Sequence, residues 1–259
     1  MATRDRPAGD FDYEQHGTGY ASTRRPDPRI AVQVHAALGV SRTVLDVGAG
    51  AGSYEPTDRY VLAVEPSATM RAQRPADAAP AVDAVAEHLP FDDDSFDAAM
   101  AVLTIHQWGD VERGLRELRR VSRGPVVVLT LDAPALVDFW LSDYFPEVVA
   151  VEEARFPTIE HVTDVLAPGS ADVRVDVVPV PRDCTDGFGE AFYARPEAFL
   201  KPEVRAATSG LALVDPTAVQ RGIDRLEQDL ASGAWDERHG HLRRQSERRG
   251  ALRVVTATT

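Results

Sequence analysis

The sequence predicts an α/β protein in which a mostly parallel β-sheet carries helices on both faces. Short apolar runs typical of buried strands alternate with segments of helical periodicity. The run at residues 43–47 is almost continuously apolar and rich in β-branched residues, as is typical of a central parallel strand. It leads into a glycine-rich turn at residues 48–52. Ligands commonly bind at such a turn, at the carboxyl ends of parallel strands.

Local signals place the other elements along the chain. A helix is predicted before the first strand, because Asp27 and Pro28 form an N-cap and a first-turn proline, and Gly39 follows the last apolar position. Further strands are predicted at residues 60–64, 81–84, 96–105, 126–129, 173–180 and 251–255. Further helices are predicted after Ser67, after Asp110, over residues 136–149 and, within a long insertion, over residues 186–230.

The glycine turn distinguishes between two classes of nucleotide ligand. A dinucleotide requires the pattern G-x-G-x-x-G and a helix that begins at the turn, because its pyrophosphate binds the helix N-terminus. Here the third glycine lies one position early, at Gly52, and Ser53 occupies the dinucleotide position. Residues 53–59 are too short, and too interrupted by Pro56, for a regular helix. The turn therefore favours a ligand without phosphate.

Two acidic residues flank this turn. Glu65 follows the second strand, where a carboxylate accepts hydrogen bonds from both hydroxyls of a ribose. Asp46 precedes the turn, and it either orients the loop amides or reaches an ammonium group of the ligand through water. The turn and the two carboxylates together predict a ligand that contains a nucleoside.

Four segments, taken together, resemble the class I S-adenosylmethionine-dependent methyltransferases, in the type-11 group that includes the quinone C-methyltransferases. The segments are residues 44–52, residues 64–67 with Met70, residues 86–97 and residues 103–106. The resemblance implies a Rossmann-like, mostly parallel seven-stranded sheet and S-adenosylmethionine as the cofactor. It also implies methyl transfer to an oxygen, nitrogen or carbon atom of a small-molecule acceptor, such as a specialised metabolite.

The resemblance further implies a division of the chain into three parts. Residues 1–42 would form an N-terminal lid and the first helix, residues 43–131 the cofactor-binding core, and residues 132–259 the rest of the sheet. The family's last two strands pair as a hairpin, so the insertion lies inside it, and a helical substrate cap is expected over about residues 186–245. Aromatic residues that would line the acceptor pocket are Phe139, Trp140, Tyr144, Phe188, Phe192 and Tyr193.

The resemblance and the residue chemistry also give a set of cofactor contacts. They are Tyr20 and Arg25 in the lid, Asp46, Gly48, Ala49, Gly50 and Gly52 at the turn, Glu65 and Pro66 after the second strand, Met70 at the adenine face, Ala86 and Glu87 at the adenine edge, and Leu103 near the transferred methyl group. Arg24 is the alternative to Arg25 in the lid. The alternative role of Met70 is packing in the core beneath its helix.

His106 is the candidate general base. It follows the fourth strand, and an unperturbed pKa of about 6.5 suits proton removal at neutral pH. Its alternative role is structural, either capping the helix that begins after Asp110 or packing under Trp108. Transfer that requires a base is expected to accelerate as the pH rises through about 6.5.

Composition narrows the classes of function. The 259 residues are 44% hydrophobic, which is enough for a substantial core, and the net charge of −13 disfavours nucleic acid as a partner. No apolar run approaches the ~18 residues of a membrane span. Residues 1–10 lack an apolar signal core, and Cys184 is the only cysteine. We therefore expect a cytoplasmic monomer or homodimer, without a bound metal or a membrane partner, that acts on a small molecule.

Three alternatives stay open at this point. The six arginines between residues 238 and 253 either bind an anionic substrate or form a salt-bridged surface, and the acidic composition favours the surface. A protein that binds S-adenosylmethionine without transferring methyl needs the same cofactor residues. An NAD-binding oxidoreductase is disfavoured by the early third glycine and the missing helix.

Overall fold

The computed structural model describes residues 9, 11–17, 19–167 and 172–258. Its strands are β1 (Thr43–Val47), β2 (Tyr60–Val64), β3 (Ala81–Val82), β4 (Ala98–Val102), β5 (Val126–Leu131), β6 (Asp172–Val177), β7 (Val180–Pro181), β8 (Glu247–Arg248) and β9 (Leu252–Thr258). The main sheet has seven strands in the order β3-β2-β1-β4-β5-β9-β6. Strands β1 to β5 pair in parallel, whereas β9 runs antiparallel to β5 and β6. The predicted seven-stranded, mostly parallel sheet is confirmed.

Helices precede, connect and follow these strands. They are α1 (Tyr13–His16), α2 (Tyr20–Thr23), α3 (Pro28–Ala37), α4 (Ala68–Arg71), α5 (Val111–Val121), α6 (Leu141–Tyr144), α7 (Pro146–Arg155), α8 (Ile159–Leu166), α9 (Pro202–Ala206), α10 (Ser209–Ala212), α11 (Pro216–Ser232) and α12 (Ala234–His239). None of the helices in the described ranges has both the length and the apolar character that a membrane crossing requires.

The capping signals in the sequence act as expected. The Asp27 side chain accepts a hydrogen bond from the Arg29 amide at the start of α3, and Gly39 has a φ of 58° just past the end of that helix. The side chains of Ser67 and Asp110 cap α4 and α5 in the same way. Helix starts were therefore predictable because the signal lies within three residues of the cap.

Three predicted elements differ in the structure. The fourth strand is shorter than residues 96–105, because Leu103 leaves the sheet with a φ of 51° and a 3₁₀ turn follows. The helix expected over residues 136–149 is broken into a 3₁₀ turn, α6 and α7, and α7 begins anew at Pro146. The strand expected over residues 173–180 ends at Val177, and β7 pairs with β8 outside the main sheet.

Alternate residues of the central strands point into two apolar cores. Met100 of β4 packs in the core that contains Ile30 of α3 and the buried aromatic side chains of the C-terminal half. Ala101 packs in the opposite core, with Leu115 of α5 and Val162 of α8. Helix α8 was not predicted. Because both faces of the sheet are covered, the carboxyl ends of the parallel strands are where a ligand finds access.

Candidate active site

A cavity of about 560 Å³ opens at the carboxyl ends of β1, β2 and β4, within the size range typical of small-molecule sites. All the described residues that line it lie between Gly9 and Trp108. The walls come from the N-terminal segment, the glycine turn, the ends of β2 and β4, and the segment after β3. The cavity is therefore built by the part of the chain that carries the predicted cofactor residues.

The glycine turn brings bare backbone to the cavity. Gly48 and Gly50 have φ angles of 72° and 53°, in the left-handed region that favours glycine. A Cβ atom on Gly48 would lie 2.1 Å from the Oγ1 atom of Thr104, so a larger residue there would require the Thr104 side chain to move. The amides of Gly48 and Ala49 both donate to the Val64 carbonyl, which ties the turn to the end of β2. Gly48, Ala49 and Gly50 line the cavity.

Glu65 is held in a fixed orientation at the edge of this cavity. Its Oε2 accepts a hydrogen bond from the Gly50 amide at 2.8 Å, and its Oε1 accepts one from the Ser67 amide at 2.8 Å. Burial raises the pKa of Glu65, and the two amide hydrogen bonds oppose that rise. The carboxylate keeps lone pairs for hydroxyl donors, which is the arrangement that a ribose requires.

Asp46 is a buried carboxyl group whose two oxygen atoms have no hydrogen-bond partner among the described residues. Only 1% of the residue is exposed, and it lines the cavity. Burial raises the pKa of Asp46 well above its ordinary value, the nearby Glu55 adds to the rise, and Arg74 opposes it. Buried polar groups in native proteins almost always have a partner, so this site fits a ligand that carries a cationic donor.

The segment after β3 forms the far end of the cavity. Ala86 and Glu87 line it, together with Asp83 and Trp108, and the Glu87 side chain also accepts a hydrogen bond from the Asp110 amide at 3.0 Å. Met70 is 4% exposed and lies both at the cavity and against the turn, because a Cβ atom on Gly50 would be 3.3 Å from its Cε. Pro66 and Leu103 also line the cavity.

The N-terminal segment closes one side of the site. Tyr20 lines the cavity, and its ring lies edge-on to Tyr13, with 5.8 Å between the ring centroids. The lining arginine is Arg24, whereas Arg25 points to solvent, so the prediction of Arg25 is corrected to its neighbour. Successive residues of the extended stretch after α2 point in opposite directions, and spacing alone did not distinguish the two. Burial raises the pKa values of both tyrosines, which stay protonated at neutral pH.

Comparisons with known proteins agree with this geometry. A family model described as a methyltransferase domain, of type 11, matches residues 45–128. A protein of known structure from Anabaena variabilis, described as a methyltransferase from an antibiotic biosynthesis pathway, is 32% identical, with a TM-score of 0.85 over 92% of this chain and 99% of that one. The chain belongs to the class I S-adenosylmethionine-dependent methyltransferases. S-adenosylmethionine is therefore the cofactor of this site.

Two further proteins show how far this similarity reaches. The 2-methyl-6-phytyl-1,4-hydroquinone methyltransferase of Spinacia oleracea chloroplasts is 31% identical over 117 residues, which are 40% of this chain and 33% of the spinach protein. The match thus spans about a third of the spinach enzyme. A Streptomyces coelicolor geranyl diphosphate C-methyltransferase, solved with S-adenosyl-L-homocysteine, is 14% identical over 88% of this chain and 77% of its own, with a TM-score of 0.51, and shares the fold.

Two residues predicted to contact ligand in this methyltransferase lie off the cavity. Gly52 shapes the turn through its amide, which donates to the Ala49 carbonyl, but it faces Arg74. The His106 ring stacks on Phe156, with 4.1 Å between centroids and 21° between planes, and is absent from the cavity wall. Both predictions are corrected. The chain turns sharply at each position, so each residue lies past the strand end and away from the cavity.

The expected pKa of His106 is also wrong. Burial of the ring lowers its pKa well below 6.5, and the positive charges of Arg155 and Arg24 lower it further. The ring is therefore neutral at physiological pH and accepts a proton less readily than an exposed histidine. Its position and its pKa both argue against a role as general base.

The aromatic residues expected around the acceptor form a hydrophobic core instead. Trp140 is fully buried, makes edge contacts with Tyr144, Phe199 and Trp235, and donates from its Nε1 to the Tyr193 carbonyl at 3.1 Å. The full predicted set, namely Phe139, Trp140, Tyr144, Phe188, Phe192 and Tyr193, is buried and takes no part in lining the cavity. Sequence periodicity shows that these residues are buried but cannot distinguish a core from a pocket wall.

The helical insertion meets the lid rather than the cofactor cavity. A second, smaller cavity of about 230 Å³ lies between the N-terminal segment and the region around α9. Tyr13 and Tyr20 line both cavities, and Ala206 and Ser209 line only the smaller one. The two tyrosines therefore separate the cofactor cavity from the insertion.

Five of the six arginines between residues 238 and 253 form ion pairs, in line with the salt-bridged alternative that composition favoured. Arg238 pairs with Asp229, Arg243 with Glu197 and Asp236, Arg248 with Glu190, Arg249 with Glu247, and Arg253 with Asp132. A separate anion site is not needed to explain these charges. Among the described residues, no group of three or more histidine, cysteine and carboxylate side chains is arranged to hold a metal ion.

Proposed function

We propose that this methyltransferase transfers the methyl group of S-adenosylmethionine to a small-molecule acceptor. The observation that carries the proposal is the pairing of two buried carboxylates across the glycine turn. Glu65 is oriented by two amides, and Asp46 has no hydrogen-bond partner among the described residues, so one suits hydroxyl groups and the other suits an ammonium group. S-adenosylmethionine has ribose hydroxyls at its nucleoside end and an ammonium group at its methionine end.

In this proposal the residues of the cavity hold the cofactor at four points. Glu65 accepts the ribose hydroxyls, and the segment around Ala86 contains the adenine ring. Asp46 faces the ammonium group, and the Arg24 guanidinium, which lines the cavity, faces the carboxylate. When bound, S-adenosylmethionine supplies an electrophilic methyl group.

The chain's own contribution to transfer is then alignment and the exclusion of water. Leu103 and Thr104 line the cavity beside the turn, and Tyr13 and Tyr20 close its other side. The raised pKa values of the tyrosines make them hydrogen-bond donors that position an acceptor, not bases that remove its proton. Orientation of this kind accounts for a large part of rate enhancement in displacement reactions.

We further propose that the acceptor approaches through the lid. The second cavity adjoins Tyr13 and Tyr20 from the side of the insertion, so movement of these rings would connect it with the cofactor cavity. The relatives that support a small organic acceptor act on a hydroquinone and on geranyl diphosphate. On this proposal the cap over residues 186–245 affects the acceptor only through its contact with the lid.

Calorimetry with S-adenosylhomocysteine and NAD tests the cofactor half of the proposal. S-adenosylhomocysteine should bind with a Kd in the micromolar range or tighter, about −8 kcal/mol or better, and NAD should not bind measurably. A methyl-transfer screen over phenols, amines and carboxylic acids then tests the reaction. Cofactor binding without turnover of any acceptor would favour the alternative, a protein that binds S-adenosylmethionine without transferring its methyl group.

A further inference from the structure

A buried carboxylate from the C-terminal half reaches into the cofactor-binding half. Asp186 follows β7 and is 2% exposed. It accepts hydrogen bonds from the Arg24 Nε at 2.6 Å and from the Tyr54 hydroxyl at 2.9 Å. A backbone bridge also pairs residue 24 with residue 186 in antiparallel fashion. Three distant parts of the chain therefore meet at one side chain.

Both partners of Asp186 line the cofactor cavity, although Asp186 itself does not. Tyr54 lies at the end of the glycine turn with a φ of 66°, which is a strained conformation for a residue with a bulky side chain. Arg24 uses its Nε and Nη2 for Asp186, and no described residue accepts a hydrogen bond from its Nη1. Asp186 thus acts on the cavity only through these two side chains.

The charges around the cavity explain why Arg24 needs a fixed partner. Two carboxyl groups, Asp46 and Glu65, line the same cavity and attract any mobile cation. A buried guanidinium that is not held by a counterion would move toward them or out to solvent. The two hydrogen bonds to Asp186 keep the Arg24 guanidinium in place and leave its Nη1 directed away from Asp186.

We propose that Asp186 is a positioning residue, which holds Arg24 where it binds the carboxylate of the cofactor's methionine moiety. This inference rests on the proposed function. No helix begins at the glycine turn to offer a positive N-terminus, since residues 51–54 form turns, and Arg24 supplies the positive charge instead. Asp186 should therefore matter for the amino-acid end of the cofactor and not for the nucleoside end.

Two ligands that differ in that end test the proposal. S-adenosylhomocysteine carries the amino-acid moiety, and 5′-methylthioadenosine lacks it. In calorimetry, Asp186→Asn should weaken S-adenosylhomocysteine binding by about tenfold and leave 5′-methylthioadenosine binding within about twofold of wild type. The matched control is Asp183→Asn, because Asp183 lies three residues away, is 79% exposed in its side chain and pairs with Arg29 at the surface. That control should bind both ligands as wild type does.

A double-mutant cycle separates positioning from general support of the fold. In an Arg24→Met background, the effect of Asp186→Asn on S-adenosylhomocysteine affinity should be much smaller, because the side chain proposed to bind the cofactor carboxylate is gone and only Tyr54 connects Asp186 to the cavity. Tyr54→Phe removes one hydroxyl group, with its hydrogen bond to Asp186 and the longer one that it accepts from the Asp27 amide at 3.4 Å, so it keeps the proposal testable if Asp186→Asn unfolds. It should weaken S-adenosylhomocysteine severalfold and spare 5′-methylthioadenosine.

Several outcomes would overturn the proposal. Equal losses for both ligands would make Asp186 a support of the whole cavity, and unchanged affinities would remove it from binding altogether. An undiminished effect in the Arg24→Met background would also refute positioning through Arg24. A wild-type protein that binds neither ligand would overturn the proposed function itself. A wild-type protein that binds both ligands, with variants that do not discriminate between them, would overturn only the role of Asp186.

Discussion

The front half of the chain (residues 1–131) and the rear half (residues 132–259) bury similar carboxyl groups, but these groups have different roles. Glu65 in the front half and Glu190 in the rear half are both buried, both accept backbone amide hydrogen bonds, and burial raises the pKa of both. Glu65 lines the cavity, whereas Glu190 pairs with Arg248 and the Ala251 amide inside the fold. A buried carboxylate therefore indicates direct ligand contact only when part of its hydrogen-bonding capacity faces an open space.

The same contrast holds for aromatic residues. The rear half places its rings in one continuous core around Trp140, and the front half places Tyr13 and Tyr20 on a cavity wall. Composition alone would assign binding to the half that is richer in aromatic residues. The structure assigns it to the half with the strained turn and the unpartnered carboxylate. The comparison predicts that substitutions of rear-half residues that hydrogen-bond only within that half change stability, and that substitutions of cavity-lining carboxylates change ligand affinity.

The largest expected effect is in the rear half. Trp140→Ala removes a fully buried ring and its hydrogen bond to the Tyr193 carbonyl, so the free energy of unfolding should fall by about 3–5 kcal/mol. The affinity of the folded protein for S-adenosylhomocysteine should not change. Urea unfolding and calorimetry measure the two quantities. A loss of affinity with unchanged stability would place Trp140 in a binding site and break the comparison.

The two glutamates give the next largest effect and the most direct contrast. On the proposed function, Glu65→Ala removes two charge-assisted hydrogen bonds to the ribose, each worth roughly 1.5–3 kcal/mol, so S-adenosylhomocysteine affinity should fall at least tenfold. Glu190→Gln should leave that affinity at the wild-type value, because Glu190 does not line the cavity. Comparable losses in both variants, measured by calorimetry, would show that affinity follows stability and not location.

The two halves also differ in how much of them the sequence predicts. In the front half, caps and apolar runs predict α3 and β1 to β5, because each signal lies within a few residues of the element it specifies. In the rear half, α12 has no side-chain cap, α8 begins at a Thr158 cap without a long periodic run after it, and the break at Pro146 decides the geometry of a segment that looks like one helix. Segment boundaries there depend on packing between distant residues, which periodicity does not record.

The candidate site divides in the same way. Gly48 and Glu65 follow from local pattern, because a turn and a strand end specify them. Arg24 is distinguished from Arg25 by its place in the cavity wall and by its pairing with Asp186, which is 162 residues away. No local feature of the segment around Asp186 indicates that it acts on the cofactor cavity. A contact between residues so far apart in the sequence is visible only once the chain is folded.

A pair of glycines separates two costs of adding a Cβ atom: the backbone strain of a positive φ and the steric contact with a neighbouring side chain. Gly48 and Gly39 both have positive φ, so an alanine at either position should cost about 1–2 kcal/mol in backbone strain. Gly39 has open space around its missing Cβ, whereas that of Gly48 would meet Thr104. Gly48→Ala should therefore lower the free energy of unfolding by about 1–3 kcal/mol more than Gly39→Ala, because of overpacking. Urea unfolding measures the difference, and equal costs would mean that Thr104 moves aside freely.

The smallest expected effect concerns His106, which lies in the front half but off the cavity. His106→Gln should leave S-adenosylhomocysteine affinity unchanged and should not produce the 10²–10⁴-fold loss of turnover expected for a general base.

The effect of the His106→Gln substitution should appear in the free energy of unfolding instead. The folded-state pKa is below the unfolded value of about 6.5, so the unfolded chain binds the proton more readily. Wild-type protein should lose stability as the pH falls through about 6.5, and the variant should lose less. Urea unfolding at several pH values between about 5 and 8 measures this difference. A hundredfold loss of turnover with a neutral phenolic acceptor would restore His106 to the mechanism, and it would show that the front half contributes catalysis through a residue outside the cavity wall.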